Sequence, residues 1–281
     1  MDAPEPSFWA RHSFLIRRLH SLSGFIPVGG YMIIHLAVNA SVLNGSASFQ
    51  ANVNGIHKFG KLLPVLEWTF IFIPILFHAI VGMFIVAGSL PNSYQYAYEA
   101  NRRYTWQRIT GVIAFLFIGL HVFHMHGWFH NTWWVDNVVN PWGGGQFRPY
   151  NATSTAGMAL QSYAWVAVYL IGMLSCVFHL ANGLWTMGIT WGVWTSPAAQ
   201  RRALGVCAVF GVLLAGVGTA ALFGMRSAVS GDKLDLVRQR EEQMIEHDLE
   251  AGTLRKRDIE HKRAEPLEAD DVQASAAPDR N

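Results

Sequence analysis

Long stretches without charge dominate the pattern of this chain. Intervals 19–57, 68–98, 109–135, 149–200 and 203–225 contain no Asp, Glu, Lys or Arg. Each exceeds the roughly 20 residues that a helix needs to cross about 30 Å of hydrocarbon. Trimming their polar ends predicts helical spans over 22–43, 64–89, 109–127, 158–190 and 204–224. The fourth interval is long enough for two helices, but it opens on Pro149, Asn151, Thr153, Ser154 and Thr155, so one long helix is expected there. The pattern therefore predicts an all-α integral membrane protein with five transmembrane helices, and no internal repeat stands out.

Charge divides the chain into two regimes. Residues 1–225 carry 11 Lys/Arg and 5 Asp/Glu, a net of +6, while residues 226–281 carry 10 basic and 14 acidic side chains, a net of −4. The first is expected to be the five-helix membrane domain and the second a charged tail. With 14% charged residues, where soluble domains average about 25%, an ordinary soluble globule is excluded. A nucleic-acid binder, which needs a basic face, is excluded as well. The two cysteines, Cys176 and Cys207, lie in apolar segments and form no CxxC or CxxCH, which removes disulfide scaffolds, cysteine zinc sites and covalent c-type haem.

In the tail, Asp232–Lys262 places Leu234, Val237, Ile245, Leu249, Leu254 and Ile259 among many charges, with i,i+4 pairs Arg238/Glu242 and Asp258/Lys262. This predicts a solvated helix without chemistry. From Ala264 onward the composition reads as disordered.

Lys and Arg in short loops stay on the cytoplasmic side of a membrane. An N-terminus inside puts eight arginines (Arg11, Arg17, Arg18, Arg102, Arg103, Arg108, Arg201 and Arg202) in inner segments and three basic residues (Lys58, Lys61 and Arg148) in outer loops. The N-terminus is therefore expected in the cytoplasm and the tail outside. No A-x-A cleavage site follows the first span, which reads as a retained anchor. Trp128, Trp133, Trp134 and Trp142 fall at the outer interface and Trp106, Trp191 and Trp194 at the inner one, where amphipathic rings belong.

Four of the five spans contain a histidine, an unusual residue in lipid and a pointer to function: His35, His78, His121 and His179. At 1.5 Å rise per residue, His35 and His121 lie about 20–25 Å from the inner surface, and His78 and His179 about 25–30 Å from the outer one. Two imidazoles at each of two levels suit two six-coordinate haems stacked in a helix bundle. A porphyrin also needs small residues where it passes the backbone, and Gly24, Gly29, Gly30, Gly82, Gly111, Gly119, Gly172 and Gly183 offer such clearance. A single membrane histidine is as readily an inter-helix hydrogen bond or part of an ion path; pairing in depth is what favours haem. His124, His126 and His130 compete with His121, of which His121 is the deepest and His124 the next candidate. Glu67, at the lip of the second span, precedes His78 by 11 residues, about 20° off three full turns, so the two are expected on one face. It is either a proton relay to a quinone or an interfacial carboxylate meeting water.

Six strings carry a family resemblance: RRLHSLSG (17–24), IPVGGYMIIHLAVN (26–39), LEWTFIFIPILFHAIVG (66–82), WQRITG (106–111), LHVF (120–123) and FHLANGLWTMGITWG (178–192). Together they resemble the single-chain, five-helix, di-haem cytochrome b membrane anchor of succinate:quinone oxidoreductases, fumarate reductases included. The resemblance implies two haems b, the outer held by His35 and His121 and the inner by His78 and His179. It also implies haem propionates near His20, Ser21 and Trp106. Some members have a Lys at the inner end of the fourth span, where this chain has Thr190. Some have a Glu two residues before the fourth ligand for transmembrane proton transfer, where it has Val177.

The same resemblance implies a multi-pass protein of the prokaryotic cytoplasmic membrane that contacts lipid and quinone, with menaquinone the expected type, and whose complex can oligomerise. Its partners would be a flavoprotein with covalent FAD and an iron-sulfur protein with three clusters. Electrons from succinate would reach the quinone through the inner and then the outer haem, with Glu67 the candidate for quinone protonation. The chain would belong to an enzyme without itself acting on dicarboxylates. Two alternatives remain at this level: a di-haem anchor of a hydrogenase, formate dehydrogenase or nitrate reductase, and a haem-free transporter whose histidines bind metal.

Overall fold

The computed structural model describes residues 8–88, 95–255, 259 and 262–264, and among them every regular element is helical. Five helices are long and apolar enough to cross a membrane: Phe8–Asn44, Gly60–Ala87, Glu99–His126, Tyr163–Thr190 and Pro197–Ala228. The count agrees with the charge-free intervals, and the ends do not. The first and third helices begin 14 and 10 residues before the predicted spans. In these added turns three arginines make contacts through their guanidinium groups. Arg18 lies over the rings of Phe14 and Trp191, Arg103 over Trp185, and Arg108 Nη2 donates to Val86 O at 2.6 Å.

The fourth span starts at Tyr163 instead of 158. Ala152–Ala159 forms a separate short helix, and the Gln161 amide turns back to Gly157 O at 3.0 Å, closing its end. Only 6% of the most apolar stretch of the second span is buried within the protein, against 44% of the fourth.

Two spans widen locally into π turns, at Gly24–Gly29 and at Trp68–Phe72. Proline explains both: Pro27 lies inside the first and Pro74 just after the second, and each removes a donor and crowds the carbonyl four residues back. The two wide turns pack against each other.

The chain divides into two compact units. One is drawn from segments 1–37, 61–119 and 168–218 and is built around Leu36, Val177, Leu180 and Leu214, with Phe25, Met32, Met173 and Phe210 packed against them.

The other unit is drawn from 38–60, 120–167 and 219–281 and contains the tail. There the expectation of a solvated tail is corrected. Helix Lys233–Glu250 buries Val237, Glu241 and Ile245, and Ile245 and Ile259 pack with Tyr150. Glu241, 1% exposed, accepts from Thr153 N at 2.9 Å, Ser154 N at 3.0 Å and Ser154 Oγ at 2.5 Å, while Gln50 Oε1 takes Ala152 N at 2.8 Å. The open amides at the start of Ala152–Ala159 are thus capped by side chains remote in sequence. Burial pushes the Glu241 carboxyl up from its ordinary range, and the donors facing it pull it back only in part. Glu242, predicted to pair with Arg238, pairs with Arg263 at 2.7 Å. Asp258 of the predicted Asp258/Lys262 pair and the segment after Ala264 lie outside the described residues.

Candidate functional site

His78 and His179 come together in the first unit. Their ring centroids are 5.9 Å apart with planes at 87°. Each has its Nδ1 on a main-chain carbonyl, His78 on His20 O at 2.9 Å and His179 on Gln107 O at 3.0 Å. A carbonyl only accepts, so each Nδ1 carries the proton and each Nε2 keeps the lone pair that a metal requires. His78 and His179 would be the residues to hold one metal ion between them, each through its Nε2.

Glycine makes room for both rings. A Cβ on Gly24 would stand 2.2 Å from His78 Cε1, and one on Gly111 2.8 Å from His179 Cε1. Gly82 faces His20 at 3.2 Å, whereas Gly29 clears Leu180 and Gly172 clears Phe117, which are packing roles. At Gly30 and Gly119 a Cβ would meet no protein atom within 4 Å.

The His20 ring stacks on His78 at 4.0 Å and 9°, and its Nδ1 is buried without a hydrogen-bond partner. Arg18 Nε, Arg103 Nε and Nη1 and Arg108 Nε are buried without acceptors in this unit, as Arg226 Nε and Arg263 Nε are in the other. Such donors are costly unless an acceptor arrives, and the carboxylates of a propionate-bearing porphyrin are acceptors of the right kind. The donor set, the fixed tautomers and the glycine clearance therefore fit a bis-imidazole haem. Ser21, predicted near a propionate, already uses its hydroxyl, donating to Arg18 O at 2.9 Å and accepting from Trp191 Nε1 at 3.0 Å. The Trp106 ring is exposed.

His35 is half-buried in the first span, its ring 5.5 Å from that of Tyr31. His121 lies on the third span in the second unit, also half-buried. In that unit His124 is 2% exposed and stacks on Trp165 at 3.8 Å and 14°, while His126 and His130 are exposed.

Glu67 is half-buried and acts electrostatically on the Tyr31 hydroxyl. The shared face expected for Glu67 and His78 does not survive the wide turn between them. One residue taken up at Trp68–Phe72 rotates Glu67 to about 80° from His78.

Sequence reasoning overlooked Gln107, Asn182 and Glu241. For the two wide turns the signal was available, in a proline within each apolar span.

No family model matches the chain. Over 213 residues it is 35% identical to the succinate dehydrogenase cytochrome b558 subunit of Bacillus subtilis (strain 168), a match covering 75% of this chain and 96% of that protein.

Proposed function

Because the chain belongs to the family of cytochrome b membrane anchors of succinate dehydrogenase, we propose that it holds two haems b in a succinate:quinone oxidoreductase and that its own residues govern electron delivery to a membrane quinone. The role of a multi-pass, cytochrome b anchor subunit follows from the family, and it displaces both the hydrogenase-type anchor and the haem-free transporter. In the reading advanced here, His78 and His179 ligate one haem and His35 and His121 the other. The partners are an FAD flavoprotein and an iron-sulfur protein with three clusters, in a prokaryotic cytoplasmic membrane. The N-terminus lies inside and the tail outside.

When bound, the haems supply one-electron relay between the iron-sulfur partner and quinone. The chain does the rest. His20 O and Gln107 O fix the tautomers of His78 and His179. Gly24 and Gly111 leave room for their rings, and Arg18 and Arg103 would be the donors to haem propionates. Glu67, at the start of the second span, is the group proposed to pass protons to reduced quinone.

The His78/His179 pair is the observation that carries this reading. Its test is purification of the intact complex with a reduced-minus-oxidised spectrum, haem per chain, and succinate-dependent quinone reduction. Two haems b per chain and quinone turnover are expected; fewer than two, or no α-band, would overturn it. Glu67→Gln should slow quinone reduction and leave the spectra unchanged.

A further inference from the structure

Gln107 is tied to the fourth span by three hydrogen bonds, two to His179 and one from Asn182. Its main-chain oxygen accepts from His179 Nδ1 at 3.0 Å. Its side-chain Nε2 returns a bond to His179 O at 3.0 Å, and its Oε1 accepts from Asn182 Nδ2 at 2.8 Å. Asn182 is 7% exposed, and a Cβ on Gly183 would stand 3.3 Å from Gln107 Nε2, so the carboxamide is seated against the helix it grips. The two bonds between residues 107 and 179 close a ring that fixes how near the third span approaches the imidazole. No such side-chain bond from residue 20 accompanies the His78 contact: His20 gives His78 a carbonyl and a stacked ring.

We infer that Gln107 and Asn182 form an amide clamp that sets the strength of His179 as a haem ligand, Gln107 being a positioning residue for that imidazole. This rests on the bis-imidazole reading above. A short Nδ1–H···O=C bond makes an imidazole a stronger donor and favours the oxidised iron, so orientation of the carbonyl by the clamp translates into redox potential. The carbonyl itself cannot be removed by substitution, but the amides that aim it can.

The experiment uses the intact complex. Gln107→Leu removes both side-chain bonds, and Asn182→Ala removes only the support behind them. Haem content, a redox titration of each haem and low-spin EPR g-values are recorded for both variants and for the unaltered protein. The expected result is a higher midpoint potential, with shifted g-values, for the haem that His179→Ala removes. The other haem should be unmoved, and the effect should be smaller in Asn182→Ala. Unchanged potentials and g-values in both variants, or an equal shift of both haems, would overturn the clamp. If Gln107→Leu does not assemble, Asn182→Ala decides, since it leaves every bond between Gln107 and His179 available. Absence of two haems from the unaltered protein would count against the bis-imidazole reading itself, a result separable from failure of the clamp.

Discussion

His179 and Glu241 are both polar side chains withdrawn from water, one in each unit, and they are satisfied in opposite ways. His179 spends one nitrogen on a main-chain carbonyl and leaves the other with a lone pair. Glu241 spends both oxygens, on two amides and a hydroxyl, at the start of a short helix whose preceding amide is taken by Gln50. Glu241 is 1% exposed and His179 half-buried, so the group more withdrawn from water is not the one at the candidate site. What separates them is unspent hydrogen-bonding capacity, which is expensive to maintain and therefore marks a site prepared for something else. Glu241 keeps no such capacity and reads as architecture, although Arg263 Nε, next to the Glu242 pair, is buried without a partner.

Ligand removal gives the largest test of that contrast. His78→Ala or His179→Ala should each eliminate the same one of two haems, seen as half the haem per chain and loss of one redox component. His35→Ala and His121→Ala should eliminate the other. Joint dependence of one haem on His35 and His78 would break the pairing.

Gly24→Ala should come next. The added carbon stands 2.2 Å from His78, so the ring must move and the His78 haem is expected to be lost or loosened. Gly30→Ala, where a Cβ meets no protein atom within 4 Å, should leave the packing of the first span intact. Equal stability of the two variants in a thermal melt of the apoprotein would remove the steric argument.

On the other side of the comparison, Glu241→Ala strands two amides and a hydroxyl and should weaken docking of the tail helix by about 2–4 kcal/mol. Limited proteolysis should cut the tail faster while both haem spectra stay unchanged; a spectral change would show that the capped helix is more than architecture.

The smallest expected effect is the pH response of the same contact. Because burial raises the folded carboxyl above its unfolded value, the folded state holds the proton more firmly. Docking is then strongest below the ordinary carboxylate range and weakens as pH rises through the raised value. Glu241→Gln, which cannot ionise, should flatten the pH profile of tail protection in hydrogen exchange.

The five spans and the four membrane histidines were legible because lipid imposes a one-dimensional rule, long runs without charge, that no distant contact can override. Helix ends were less so, since Arg18, Arg103 and Arg108, which charge counting puts outside the spans, lie within the helices and contact other spans. The tail was misread for a related reason. Val237, Glu241 and Ile245 share one face, and an acid in the middle of that stripe argues for water until its partners, almost 90 residues earlier, are known. Gln107 looks like any polar residue at a helix end, and only the register between the third and fourth spans reveals what it holds.

Each wide turn has an arithmetical consequence for reading relatives. A turn that absorbs one extra residue rotates everything beyond it by about 100°. A relative whose second span runs as an uninterrupted α-helix would need one residue fewer between the counterparts of Glu67 and His78 to present its imidazole in the same direction. A single-position gap at Trp68–Phe72 in an alignment would thus record preserved geometry, and gapless identity there could conceal a turned ligand.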